Sequence, residues 1–370
     1  MGKLCGRQRI NGTPNQKPVF QVVDLFPGAA LPVSGRRQRR RSLCDTMHSI
    51  HKRKPQAMKR LRFALSLITG DNDYQRRQAS AAQEAAARLG VDIRIIFANN
   101  NVIDQSQQLI DAIHAVERVD GILVEPAGQT GFPQVAQAAV SAGTAWVILN
   151  CEPSYLSKLR SGSTVPVFAV SADNHEVGRI QGRQLGALLP EGGTVLYLRG
   201  PSQSLVTEKR SAGMMETKPA HINVRVLKSA QWTEEAGFHA VGSWLRLSTA
   251  HQDEIDVVQA QNDFLAVGAR RALEQPTARP GRGHRPRLLF LGVDGLPKTG
   301  QAWVRQDILA ATIVVPAIAA HALEALVAAV TGGVRPPDRT LIAPESFPAL
   351  GELVAKSATR RLARGDRESS

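Results

Sequence analysis

From Leu61 the chain alternates between short unbroken apolar runs and longer stretches whose apolar residues recur every three or four positions. The runs read as strands and the spaced stretches as helices with one buried face. Residues 63–68 predict a buried strand, and 76–89 an alanine-rich helix stopped by Gly90. Residues 93–97, 121–124 and 146–149 predict further strands, with helices over 105–116 and 132–142 between them. The alternation then starts again. Helices are expected over 176–189, from 209 to 215, over 234–247 and over 263–274, and strands over 194–198, 224–227, 257–260 and 288–293. A last helix, 316–330, runs into Gly332-Gly333. Strands without in-out alternation imply parallel sheets covered on both faces. The fold class is therefore α/β, and the repeated pattern over 370 residues implies two Rossmann-like lobes with parallel sheets rather than one large sheet.

The net charge of +14 suggests nucleic-acid binding until it is divided along the chain. Residues 1–60 hold 14 Lys and Arg against Asp24 and Asp45, a net +12, which leaves the rest nearly neutral. This leader lacks apolar periodicity and is expected to be a disordered basic arm, with Met47 and Met58 as alternative starts. No apolar stretch follows its arginine run, and the six apolar residues after Met58 are fewer than the ~7–15 of an export signal. Residues 276–287 predict a basic surface loop, and 351–370 a charged, frayed tail. No apolar run reaches the ~20 residues of a membrane span. The three cysteines lack C-x-x-C spacing, which excludes a disulfide scaffold or zinc ribbon.

No G-x-G-x-x-G follows any strand, and no G-x-S-x-G elbow is present. The histidines are scattered, without metal-ligand spacing. Cys151 has no histidine nearby in sequence and reads as either a lone nucleophile or a small strand-end residue. No cofactor, metal or catalytic constellation is expected.

Polar residues instead gather after predicted strand ends, where an open α/β sheet presents its ligand. They are Asp71-Asn72-Asp73-Tyr74-Gln75, Glu125-Pro126, Asn150-Cys151, Gln261-Asn262-Asp263 and Val293-Asp294-Gly295. In this order, with Leu309-Ala310-Ala311-Thr312-Ile313 after them, these blocks resemble the type 1 periplasmic binding proteins, the ribose- and galactose-like sugar receptors of ABC transporters. The resemblance covers about residues 61–350. It implies a first lobe of about 61–170 plus 315–340 and a second of about 171–314 plus 341–350. Hinge crossovers are expected near 170–173, 311–314 and 340–343.

The resemblance also implies a ligand site. Asn72 and Tyr74 match a loop in which an amide bonds the sugar and an aromatic ring stacks on it. Gln75 replaces a second aromatic. Asn262 and Asp294 match polar anchors of the second lobe. Asn262 is either a ligand contact or a helix N-cap, with Asp263 the more natural cap. Trp232 either closes the sandwich or packs helix on strand. The departures are chemical: Asn150-Cys151 stands for an Asp-Arg pair, Glu125 for an asparagine, Glu208 for an arginine, and Val315 for a glutamine. Two guanidinium groups are expected to be lost, which disfavours ribose and anions and favours another sugar, a polyol or a small cationic solute.

Two functional classes follow. One is a solute receptor for an ABC-type importer, working with a permease in the periplasm or cell envelope. The other is a cytoplasmic ligand sensor, akin to the effector domain of lactose-repressor-type regulators but without a helix-turn-helix or other specific nucleic-acid module, acting through a signalling or regulatory partner. An enzyme is not expected.

Overall fold

Residues 60–128, 130–247, 254–275 and 288–368 are described by the computed structural model. The leader expected over 1–60, apart from Arg60, and the basic loop over 276–287 lie outside them.

The first half runs β1 (Arg62–Leu67), α1 (Asp73–Leu89), β2 (Asp92–Phe97), α2 (Val102–His114), β3 (Gly121–Val124), α3 (Pro133–Ser141), β4 (Ala145–Leu149), α4 (Leu156–Ser161) and β5 (Val167–Ala172). The second continues with α5 (Asn174–Leu188), β6 (Gly193–Arg199), α6 (Leu205–Thr217), β7 (Ile222–Lys228), α7 (Glu234–Leu245), β8 (Val257–Ala260), α8 (Asp263–Leu273), β9 (Leu289–Leu291) and α9 (Gly300–Arg305). Then come β10 (Thr312–Val314), α10 (Ile318–Gly332), β11 (Arg339–Ile342), β12 (Glu345–Phe347) and α11 (Leu350–Glu368).

The first sheet has the order β11-β5-β4-β3-β1-β2, and every pairing in it is parallel. The second has the order β7-β6-β8-β9, again all parallel. β10 and β12 pair antiparallel between them. In each sheet the strand order reverses beside the first strand of the lobe, β1 or β6. Ligands of open α/β sheets sit in the crevice at such a reversal, at the carboxyl ends of the strands.

Both sheets are sandwiched, as strands apolar on both faces require. On the first, Leu65, Leu67 and Phe168 pack with the alanines of α1 and with Leu323 and Leu326 of α10. Its other face packs Ile122, Trp146 and Ile148 on Leu109 and Ile113 of α2 and Val135 of α3. On the second sheet, Leu196, Leu198 and Val258 meet α7 and α8, and Val195 and Tyr197 meet α5 and α6.

The chain passes between lobes from β5 into α5, from β10 into α10 and from β11 into β12. Two readings are corrected. Residues 167–172 form a fully buried strand rather than only a crossover. The tail from 351 begins as a helix on α5, with Leu353 at 1% and Ser357 at 5% exposure. Its dense charge hides a buried stripe at i, i+4 spacing.

Candidate functional site

On the first lobe the site is built around Glu125, the residue after β3. After β1 the chain turns at Asn72, whose carbonyl caps α1 by accepting the Gln75 amide at 2.9 Å. The cap sets Gln75 inward. Its side-chain carbonyl accepts from the Ile68 amide at 3.2 Å, and its amide nitrogen donates to Glu125 Oε2 at 3.0 Å. Asn150 follows β4 in a left-handed conformation, φ 51°, which asparagine tolerates better than most residues. Its Nδ2 donates to Glu125 Oε1 at 3.0 Å and to the Tyr74 hydroxyl at 3.2 Å. Its carbonyl oxygen accepts from the Ala172 amide at the end of β5. Gln105 of α2 donates to the Glu125 backbone carbonyl at 2.9 Å. Burial raises the Glu125 carboxyl above its usual range, against the pull of the Asn150 and Gln75 hydrogen bonds. Burial likewise raises the Tyr74 hydroxyl.

On the second lobe Asn262 caps α8, accepting the Leu265 amide at 2.8 Å, while its Nδ2 donates to the Trp232 carbonyl at 2.9 Å. The cap expected of Asp263 is thus corrected. Asp263 is buried, accepts from the Gly295 amide at 2.9 Å and from the Thr312 hydroxyl at 2.6 Å, and holds the turn after β9. Asp294 lies in that turn at φ 104°, its amide donating to the Ile313 carbonyl. Burial raises its carboxyl to about 7; Arg210 pulls it down and Glu125 pushes it up. Arg210 Nη1 is 4.0 Å from Asp294 Oδ1. The Trp232 ring covers Gly200, where a Cβ would fall 2.1 Å from the indole. It packs on the second-lobe core, as the packing alternative has it, and also lines the cleft.

These groups face one cleft of about 720 Å³, open to solvent and lined from both lobes. Asn72, Tyr74, Gln75, Glu125, Asn150, Trp232, Asn262 and Asp294 all line it. Three other candidates do not. Asp71 is exposed and paired with the Thr69 hydroxyl in the turn after β1. Cys151 packs behind β4 with Trp146 and Ile148, where burial raises its thiol to about 11, against a nucleophile. Glu208 points outward, 58% exposed, onto Arg199. Val315 packs into the first-lobe core.

The guanidinium thought lost at 208 stands two residues on. Arg210 lines the cleft, donating Nε to Asn174 Oδ1 at 3.0 Å and Nη1 to the Gln261 carbonyl. The cleft thus holds one guanidinium among the described residues. The sequence held a signal for it: Val206 and Arg210 are spaced i, i+4 and both line the cleft, once α6 starts at Leu205 rather than near 209. Asn174, Ser204 and Phe264 also line the cleft and were not singled out.

The family model described as periplasmic binding protein domain matches residues 63–333. The chain belongs to the periplasmic binding protein family. It is similar to the ribose import binding protein of Salmonella typhimurium, 27% identical over 258 residues, 70% of this chain and 80% of the relative. Two solved structures share the fold. A periplasmic solute binding protein from Actinobacillus succinogenes with bound D-allose has a TM-score of 0.67 at 22% identity, covering 78% of this chain and 97% of that one. The Caulobacter myo-inositol binding protein bound to myo-inositol has a TM-score of 0.66 at 20% identity, covering 80% and 95%. The relatives in this family are binding proteins. Among the described residues no helix is long and apolar enough to cross a membrane.

Proposed function

We propose that the protein is a solute receptor for an ABC-type importer and captures a small sugar or polyol between its two lobes. The observation that carries this reading is the cleft itself. The carboxyl ends of both sheets bring three aromatic side chains, Tyr74, Trp232 and Phe264, together with amides, carboxylates and one guanidinium. A sugar ring offers apolar C–H faces and hydroxyl edges, so flanking rings plus fixed polar groups meet both. The ligands of these relatives, ribose, allose and myo-inositol, support the same class.

In this reading Asp294 accepts from solute hydroxyls, Arg210 donates to them, and Asn72 and Asn262 contribute amide edges not used in capping. The cleft closes because contacts from both lobes favour the closed state. The working compartment is the periplasm or cell envelope, and the partner is an importer's permease. Family kinship supports a binding role rather than catalysis.

A thermal-shift screen over pentoses, hexoses and inositols tests the proposal. At least one should raise the melting temperature in a dose-dependent way, and isothermal titration should then give one site per chain. A screen in which no sugar or polyol shifts the protein would count against the reading.

A further inference from the structure

We propose that the solute carries one cationic nitrogen, as an amino sugar or amino polyol does, and that this nitrogen sits against Glu125. The inference rests on the reading of the cleft as a solute site and narrows it to a ligand class. Its ground is the charge lining the cleft. Glu125 and Asp294 supply two carboxyls, and Asp263 lies directly behind Asp294. Arg210 is the one basic side chain lining the cleft among the described residues. It stands on the second lobe with Asp294 at 4.0 Å, and it also meets Asn174 Oδ1, the Gln261 carbonyl and, at 5.8 Å, the Trp232 ring.

Glu125 forms no ion pair among the described residues; Arg210, across the cleft, draws its carboxyl down only at longer range. The Glu125 side chain receives the Gln75 and Asn150 amides, both neutral, and it is only 5% exposed. Neutral donors orient a carboxylate without balancing its charge. Each of its oxygens accepts one of these bonds, and a carboxylate offers about four acceptor positions, so further ones remain for a ligand. Closing the lobes on a neutral solute would bury this carboxylate unpaired, which is costly. A primary ammonium on the solute removes that cost and gains charge-assisted hydrogen bonds. The Tyr74 hydroxyl, already held by Asn150, sits beside the same carboxylate as a further acceptor. A metal ion is a poor substitute. The amides that meet Glu125 present N–H rather than oxygen, and among the described residues no three His, Cys, Asp or Glu side chains gather as metal ligands.

Isothermal titration of the full chain at pH 7.5 with matched pairs tests this. The pairs are D-glucose and D-glucosamine, D-galactose and D-galactosamine, D-mannose and D-mannosamine, and inositols with the corresponding inosamines. In at least one pair the amine should bind tenfold tighter or more. Glu125→Gln should weaken the amine at least tenfold and remove most of its advantage over the neutral partner. Neutral partners binding as tightly as their amines, or a preference that survives Glu125→Gln, would overturn the inference and leave the solute-receptor reading standing. Failure of every amine and every neutral compound to bind would overturn both. The comparison on the unmodified protein decides the matter even if Glu125→Gln does not fold.

Discussion

Asp294 occupies a left-handed backbone position, yet the turn around it is tied by its neighbours: Asp263 accepts the Gly295 amide and Thr312 braces Asp263. The Asp294 carboxylate is therefore spare to the fold and available to the cleft. Asp294→Ala should weaken a confirmed solute about 10- to 100-fold, the loss of one or two charge-assisted hydrogen bonds. At pH 5, where the folded carboxyl keeps its proton, the melting temperature should change little. Calorimetry and thermal denaturation on one sample check both, and a lower melting temperature with unchanged affinity would return Asp294 to a purely structural role. The pH response has a definite sign. Burial raises the carboxyls of Glu125, Asp263 and Asp294, the last to about 7. The unfolded chain sheds the Asp294 proton near pH 4 while the folded chain keeps it to about 7. Between about pH 4 and 7 the unfolded state binds fewer protons, so unliganded stability falls as pH rises. Asp294→Asn should therefore gain stability relative to the unmodified protein on going from pH 5 to 8, and parallel melting curves across that range would exclude the effect. Most residues of this site were legible because polar side chains at the ends of apolar runs stand out. Arg210 did not, because it lies on a helix face, and its phase is set by where α6 begins.

The element that positions Arg210 is the α5–α6 pair. A Cβ at Gly178 would lie 2.1 Å from the Arg210 carbonyl oxygen, and one at Gly213 would lie 2.0 Å from that of His175. Two facing glycines let the helices touch backbone to backbone, which brings Arg210 over the end of β8. The α7–α8 pair repeats the device with Gly237 and Gly268. Gly178→Ala should therefore cost about 1–3 kcal/mol by overpacking. It should also weaken solute binding by displacing Arg210, an effect that denaturant melts and calorimetry separate. Unchanged stability and affinity would mean that the crossing relaxes freely. At this scale the central strands were legible from their unbroken apolar runs, and the predicted and observed ends agree within two residues. What the chain pattern concealed were short elements whose partners are remote in sequence. β5 was taken for a crossover alone, though it pairs with β4 and β11. α11 looked like a solvated tail because its buried stripe is thin.

Across the whole molecule, two sheets with the same order reversal present their carboxyl ends to one cleft, and three chain passages join them. A solute that contacts both lobes shifts the equilibrium toward closure by its differential affinity for the closed state. Small-angle scattering at saturation with a confirmed solute should show a smaller radius of gyration than the unliganded protein, and an unchanged value would argue against hinge closure. The central claim is capture between lobes, and it is met most directly by calorimetric titration of one confirmed solute against two variants, Tyr74→Ala on the first lobe and Trp232→Ala on the second. Under the proposed reading each ring lends its own face to the same ligand, and each variant should then lose at least tenfold in affinity while the other lobe's contacts remain. Full affinity in either variant would mean that the solute rests on one lobe alone, and capture between the lobes would be contradicted.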